Sequence, residues 1–478
     1  MKNFKRIFLF FTIDNYIDCK KGEKMKKFFK LDQYNSTVST EALAGITTFF
    51  TMSYIMFVNP SILSQTGMPY DAVFLATVIS AGVTTILMGL FANVPYGLAP
   101  GMGLNAMFTY TVCFGLGFTW QEALAMVLIC GIFALIITVT KVRTQLLIAI
   151  PSVLKNAISG GIGLFVAYIG LCNVGIINFA AGVPAMSPFN TPVIILTTIG
   201  LFITAFLLIK NVKGGILIGI VSTTIIGIFM GVVDTSSVNI SFAAFENSFS
   251  QLGVTFGAAL GSEGIGSLLA DPSRYPVILT TIFAFSLTDI FDSIGTFIGT
   301  GKKSGIFSDE DEEKLKHGKG KDSRIEKALC VDFIGTMLGS ILGTSNVTTF
   351  VESSSGIAVG GRTGLTSIVC GLLFLASTLL APITGIVPAA ATTPALVLVG
   401  ILMISSFSEV KWHNIEDAIP AFFTAVVMVL SYSITTGISV GFIFYCFVKI
   451  VLGKAKEIHP ILAIATILFI INFIMTAI

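Results

Sequence analysis

The sequence predicts an all-α polytopic membrane protein, with fourteen spans arranged as two inverted sets of seven. Three observations carry that reading. Of 478 residues, 54% are hydrophobic and only 11% are charged, against roughly 25% charged in an ordinary soluble domain. Apolar stretches near bilayer length follow one another with short polar gaps. A segment in the first half also recurs in the second. So few charges cannot cover a water-facing surface, which excludes a soluble enzyme. A net charge of +2 supplies no basic face for nucleic acid. The 47 glycines fit helices that approach closely in lipid.

The elements follow in chain order. Residues 1–38 form a polar, basic tail whose apolar run, Ile7 to Phe11, is too short for a signal-peptide core. Met25 opens a second plausible start, so residues 1–24 read as an upstream extension. Spans 1 to 7 are expected near 40–61, 71–91, 96–114, 121–140, 153–174, 191–210 and 214–235. A long polar loop, 236–275, leads to spans 8 to 14 near 276–300, 325–343, 345–361, 364–382, 387–406, 415–433 and 435–452. Each is close to the roughly 20 residues that a spanning helix needs. A last apolar run, 460–478, is either a fifteenth span or a helix lying against the bundle.

Orientation follows from the basic residues. With the N-terminal tail inside, 27 of 28 lysines and arginines fall on the inner side and only Arg274 falls outside. The positive-inside rule therefore supports both the direction and the count of fourteen. The chain is expected in the plasma (inner) membrane, with its N-terminus cytoplasmic and the lipid bilayer as its surroundings. The mixed-charge loop 302–327 reads as a cytoplasmic connector.

The recurring segment begins at Pro151 and ends at Gly163. Pro388 and Gly400 stand at the same offset of 237. Seven spans per half is an odd number, so the second half must insert upside down. That is the inverted repeat of many secondary transporters, with a site near the midplane.

Two stretches read badly as continuous helix, and both are the third span of their half. One holds Pro95, Gly97, Pro100, Gly101 and Gly103; the other runs Thr344-Ser-Asn-Val-Thr-Thr-Phe-Val-Glu352 into a serine run. Each is expected to form a short strand leading into a half-helix, and the two strands would satisfy each other. A pair of proline-kinked helices is the plain alternative.

Four carboxylates lie deep in the apolar runs: Asp289, Asp292, Asp332 and Glu352. A buried acid is costly unless paired or protonated, so each is a functional candidate. Asp289 and Asp292 are three apart and share a helix face, where two close carboxylates can hold a proton. Glu352 is expected to cap its half-helix as well as face the site. Asp332 is expected near the inner end of its span as a structurally paired acid. Asn105 follows the first break and offers both donor and acceptor, with helix packing as its other reading. No basic residue is expected deep in the bundle, so the site suits a cation or a neutral ligand with N–H donors. No Cys/His spacing suggests a metal, and no cofactor is implied.

These residues resemble those of the nucleobase-ascorbate (nucleobase:cation symporter-2) transporters, in the AzgA-like adenine/guanine/hypoxanthine permease branch. The resemblance runs from about Met25 to Lys456. It is carried by the segment Glu41 to Ile55, by Ala99-Pro-Gly-Met-Gly-Leu-Asn105, by the Asp289/Asp292 segment and by Thr344 to Gly356. The resemblance implies a core domain of spans 1–4 (39–140) and 8–11 (276–383). It also implies a gate domain of spans 5–7 (141–235) and 12–14 (384–453). The remaining pieces are the tail 1–38, an extracellular loop 236–275 and a C-terminal segment 454–478. It implies that Glu352, Asp289, Asp292 and Asn105 bind a purine nucleobase, with Asp289 or Asp292 handling a coupling proton. It leaves open a homodimer, and sodium in place of the proton. A xanthine/uracil carrier of the same fold remains an alternative, and a membrane-embedded enzyme or a channel are weaker ones.

Overall fold

A computed structural model describes residues 20–140, 149–180, 182–235, 241–301, 306–307 and 323–477. The tail before residue 20 and most of the expected loop 302–327 lie outside the described residues. Each of the fourteen apolar stretches carries helix.

Among the described residues, nine helices are long and apolar enough to cross a membrane unaided. Spans 3 and 10 fall short because each is a strand followed by a half-helix. Span 3 is β1, Leu98–Pro100, then a helix over Met102–Ala106 that widens into π turns over Met107–Gly115. The loop between spans 5 and 6 carries a small hairpin of β2, Ile177–Asn178, and β3, Ala185–Met186. Span 10 is β4, Val347–Thr349, then a helix over Ser353–Val359. β1 and β4 pair antiparallel, with Leu98 opposite Thr349, Ala99 opposite Thr348 and Pro100 opposite Val347. The kinked-helix alternative is therefore excluded.

Helix starts follow the local sequence. Thr119 and Glu122 form a reciprocal capping box at the start of Trp120–Val139. Pro151 and Pro388, the repeated prolines, hold the same N-cap position before Ser152–Asn173 and Ala389–Ile404. Their extended backbone delivers the chain into the next helix without spending an N–H that would lack a partner.

The packing is built from exchanged pairs. Spans 5 and 12 lie against each other, as do β1 and β4. Span 2 packs on span 11, and span 4 on span 9. In two sets of seven, span 2 corresponds to span 9 and span 4 to span 11, so one contact is the counterpart of the other. Spans 5 and 13, and spans 12 and 6, form a second such set. Glycines permit the closest approaches. A Cβ on Gly371 would stand 2.6 Å from the carbonyl oxygen of Gly82 across the contact between spans 2 and 11.

Two segments depart from expectation or resolve it. The polar loop 236–275 contains a helix, Phe242–Thr255. Phe245, Phe249 and Leu252 recur at helical spacing, and Ser248 donates to Asp71 at 2.7 Å, fixing the helix over the N-terminal end of span 2. The C-terminal helix, Pro460–Ala477, runs antiparallel along span 14, with Thr466 beside Cys446 (3.3 Å) and Phe469 against Phe442 (5.7 Å). Phe469 also meets Phe283 of span 8 at 6.2 Å. Ile464, Ile467, Ile471 and Ile474 face outward. It packs lengthwise against spans 14 and 8.

Arg274, the basic residue that fell outside, has a specific partner. It bonds Glu122 at 2.9 Å and lies 3.9 Å over the ring of Phe118. Glu41, at the other end of the bundle, accepts from the backbone of Arg362 (3.0 Å) and Thr363 (3.2 Å) and from the Thr366 hydroxyl (2.6 Å). Both acids sit in first helical turns, as their place in the sequence suggested.

Candidate functional site

The strand pair organises the site. β1 cannot pair on its second edge within a sheet, and span 2 supplies the partner. The Leu98 N–H donates to the Thr85 hydroxyl at 2.8 Å, which donates back to the Leu98 carbonyl at 3.1 Å. On the β4 side, the Thr336 hydroxyl of span 9 donates to the Val347 carbonyl at 3.1 Å. Gly97 closes one end, accepting from the Phe350 N–H (3.0 Å) and donating to the Ser353 hydroxyl (3.0 Å). Gly101 closes the other, donating to the Asn346 carbonyl at 2.9 Å. A Cβ at Gly101 would meet the Thr348 hydroxyl at 2.8 Å, so only glycine allows this approach. Extended backbone at membrane depth is thus satisfied by four elements of the bundle.

Every candidate side chain contacts the single segment 345–352 or belongs to it. The Asn105 side-chain oxygen accepts from the Ser345 hydroxyl, and its buried amide nitrogen has no partner. Asp289 is fully buried, and its Oδ2 accepts from the Asn346 amide at 3.0 Å and the Thr336 hydroxyl at 3.1 Å. Its Oδ1 has no partner. Asp292 accepts from the Thr348 hydroxyl at 3.4 Å and is exposed, although it lies well inside span 8. Asp332 is fully buried and accepts from Thr349 and Ser293, both at 2.7 Å. Glu352 is half-buried and accepts from the Tyr54 hydroxyl at 2.6 Å.

The aspartate pair therefore divides. A three-residue step turns a helix through about 300°, which leaves the two side chains about 60° apart. That angle is enough to aim Asp289 into the scaffold and Asp292 into open space. Asp289 bonds span 8 to span 9 and to the start of β4; Asp292 keeps most of its acceptor capacity unused.

Three expectations need correction. Glu352 occupies the N-cap position of Ser353–Val359, but its side chain caps nothing, because the Tyr54 hydroxyl draws the carboxylate toward span 1. Asp332 is not at the inner end of its span. Its helix starts at Arg324, which puts it eight residues, or about 12 Å, into the bundle at strand level. It finds hydroxyls there and no cation. Basic side chains are not wholly peripheral either. Lys155 turns inward to lie 5.1 Å over the ring of Phe291, beside Asp292 in sequence. Lys449 is buried between Glu416 and Glu457.

Sequence reasoning missed the partners. Tyr54, Thr336, Asn346, Thr348 and Thr349 carry the site as much as the acids do. The period-two run Asn346-Val-Thr-Thr349 was a visible signal, since alternate residues of a strand serve opposite faces. Tyr54 gave no signal, as an aromatic residue in an apolar run reads as packing.

Mid-bundle paired strands, half-helices and a buried acid-and-hydroxyl cluster between exchanged spans define the class of a membrane carrier. The chain belongs to the permease family (Xan_ur_permease), the nucleobase-ascorbate transporters, whose pattern matches residues 39–440. It is 40% identical to the adenine permease AdeP of Escherichia coli, covering 94% of this chain and 96% of that one. It is 38% identical to the guanine/hypoxanthine permease PbuO of Bacillus subtilis, over 93% and 99% of the two chains. Among solved structures, the transmembrane domain of the cyanobacterial bicarbonate transporter BicA shares the fold. The TM-score is 0.60 at 15% identity, over 83% of this chain and 97% of that one.

Proposed function

We propose that the chain is a secondary carrier that imports purine nucleobases (adenine, guanine, hypoxanthine) across the plasma membrane by proton symport and alternating access. One observation carries this reading: Asp292 of span 8, on Thr348, and Glu352 of span 10 stand close to the end of β4 with acceptor capacity to spare, and the buried Asn105 amide is unpartnered at the start of the same segment. A purine is flat and neutral and has N–H donors beside ring-nitrogen acceptors. Glu352 and Asp292 accept N–H bonds; the unpartnered Asn105 amide donates to a ring nitrogen or carbonyl. The similarity to AdeP and PbuO, spread over nearly the whole chain, favours the purine over other flat ligands.

The packing supports a carrier rather than a pore. The core is spans 1–4 with 8–11, and the gate is spans 5–7 with 12–14. Aromatic and hydrogen-bond contacts join the two at the ends of spans 3 and 5 and the start of span 14. Tyr432, between spans 13 and 14, packs edge-on against Tyr110 (5.9 Å), Phe165 (5.8 Å) and Tyr168 (6.0 Å). The Ile434 N–H donates to the Thr111 hydroxyl at 3.1 Å, and the Asn173 amide to the Tyr110 hydroxyl at 2.6 Å. Tyr432 has φ +56, a backbone state costly for a bulky residue. Such strain suits a contact that must also open.

Proton coupling follows from the chemistry of the cluster, whose titratable groups are carboxylates. Asp289 has one unbonded oxygen inside a fully buried pocket, where a proton relieves the cost of an unpaired charge. The test is uptake of radiolabelled adenine, guanine, hypoxanthine, xanthine and uracil in cells lacking their own carriers, with and without an uncoupler. Purine accumulation that the uncoupler abolishes is expected. Accumulation of xanthine or uracil alone overturns the substrate, and accumulation that follows a sodium gradient overturns the proton.

A further inference from the structure

We infer that Tyr54 is a specificity-determining residue, which fixes Glu352 so that the carboxylate meets a ligand edge carrying one N–H donor rather than two. This rests on the purine reading above and refines it.

The geometry of span 1 sets up the contact. Between the helices Val38–Met52 and Ile55–Leu63, Ser53 and Tyr54 keep helical backbone angles, so span 1 runs through nearly unbroken. Tyr54 lies at this junction and is 1% exposed. Its ring lies 6.5 Å from that of Phe350, two residues before Glu352. Its hydroxyl donates to Glu352 Oε1 at 2.6 Å.

Span 1 and the half-helix of span 10 are one mechanical piece. A Cβ on Gly356 would run into the Thr48 hydroxyl and stand 2.6 Å from the Ala44 carbonyl oxygen, so the half-helix packs directly on span 1. Tyr54 and Glu352 are mounted on the two sides of that contact. Their bond therefore travels with the core and need not break when the gate moves.

Two consequences follow. A glutamate side chain has three rotatable bonds, and an unbound one would sample many orientations; the Tyr54 bond selects one before the ligand arrives, which spares ordering cost on binding. The bond also takes one lone pair of Oε1 and draws charge from it, which makes that oxygen the weaker acceptor for a ligand. A carboxylate with both oxygens available takes two parallel N–H bonds, as in pairs with arginine. With Oε1 engaged, Oε2 is left as the principal acceptor. On one edge guanine presents two adjacent donors, the N1–H and the 2-amino group; hypoxanthine presents only the N1–H there. The tyrosine therefore disfavours guanine relative to hypoxanthine.

The experiment compares the parent and Tyr54→Phe, which keeps the ring and removes only the hydroxyl. Saturable binding and uptake of hypoxanthine and guanine, with adenine as a third base, are measured on purified protein and in cells. Melting temperature and membrane abundance are followed alongside. The KM for hypoxanthine should rise roughly tenfold, the scale of one hydrogen bond to a charged group, with maximal rate and melting temperature unchanged. Guanine should lose less, so the preference shifts toward guanine. A merely structural tyrosine would lower abundance or melting temperature and leave the ratio alone. If the parent binds both bases and the variant keeps both affinities and their ratio within twofold, this inference falls while the purine reading stands. If the parent binds adenine but neither of these bases, this inference falls; if it binds none of the three, the purine reading itself falls.

Discussion

Gly163 and Gly400 lie back to back where spans 5 and 12 cross, and a Cβ on Gly163 would stand 2.6 Å from the Gly400 carbonyl oxygen and 2.7 Å from the Met403 Cβ. They are also the repeated glycines, 237 positions apart. The two halves therefore meet through the same residue of each, running in opposite directions, as an inverted repeat requires. Gly170 near Thr393 and Gly160 near Phe407 continue the contact with antiparallel spacing.

This contact predicts the cost of one methyl group. Gly163→Ala should force the two backbones apart, because carbonyl oxygens cannot rotate away as side chains do. Overpacking of this kind costs about 1–3 kcal/mol. Thermal unfolding of the detergent-solubilised protein should show a lower midpoint. An unchanged midpoint would mean that the helices separate freely there.

Glu352→Gln should abolish purine binding while leaving membrane insertion normal. The amide keeps an oxygen for the Tyr54 hydroxyl, so the local fold survives. It replaces the ligand-facing oxygen with a donor or surrenders the Tyr54 bond, and either leaves a polar group unpaired. Such a group costs about 1–3 kcal/mol, and more when a charge is involved. Equilibrium binding on purified protein decides it. Affinity within a few-fold of the parent would move the site elsewhere.

The two aspartates of span 8 should fail differently. Asp289→Asn places a second amide beside the Asn346 amide inside a fully buried pocket, with Thr336 as the other neighbour. Protein abundance and melting temperature should fall together with transport. Asp292 is exposed and has one long bond, to Thr348 at 3.4 Å, so Asp292→Asn should fold normally and lose uptake. Size-exclusion profiles and uptake on matched amounts of protein separate the cases. Normal folding of Asp289→Asn with lost transport would show that the carboxylate serves the coupling proton or ligand and is not needed to hold the fold.

Orientation can be read with an impermeant thiol reagent. A cysteine at Asn247, on the helix Phe242–Thr255, should react from outside intact cells. A cysteine at His413, between spans 12 and 13, should react only after the membrane is opened. The opposite pattern would invert the topology.

Sequence alone determined the class, the positions of the spans and the two broken helices. Those properties are written in local chemistry. Lipid demands long apolar runs, and proline, glycine and β-branched residues disfavour helix wherever they cluster. The repeat was legible for the same reason, since Pro151 and Pro388 do the same local work at their helix starts. The acids stood out because charge is expensive in such surroundings.

Only the tertiary structure decided where each acid lies and what it bonds. Asp289 and Asp292 look equivalent in the chain, and one step around the helix buries and bonds one and leaves the other open. Asp332 was assigned to the periphery because the nearest charges in sequence were basic; folding gave it Thr349 and Ser293 instead. Glu352 was read as a cap from its place before a helix. The Tyr54 hydroxyl lies 298 residues away in sequence and 2.6 Å away in space. Such pairings arise when distant spans close around the strands, and no local pattern in a single chain records which hydroxyl will meet which carboxylate.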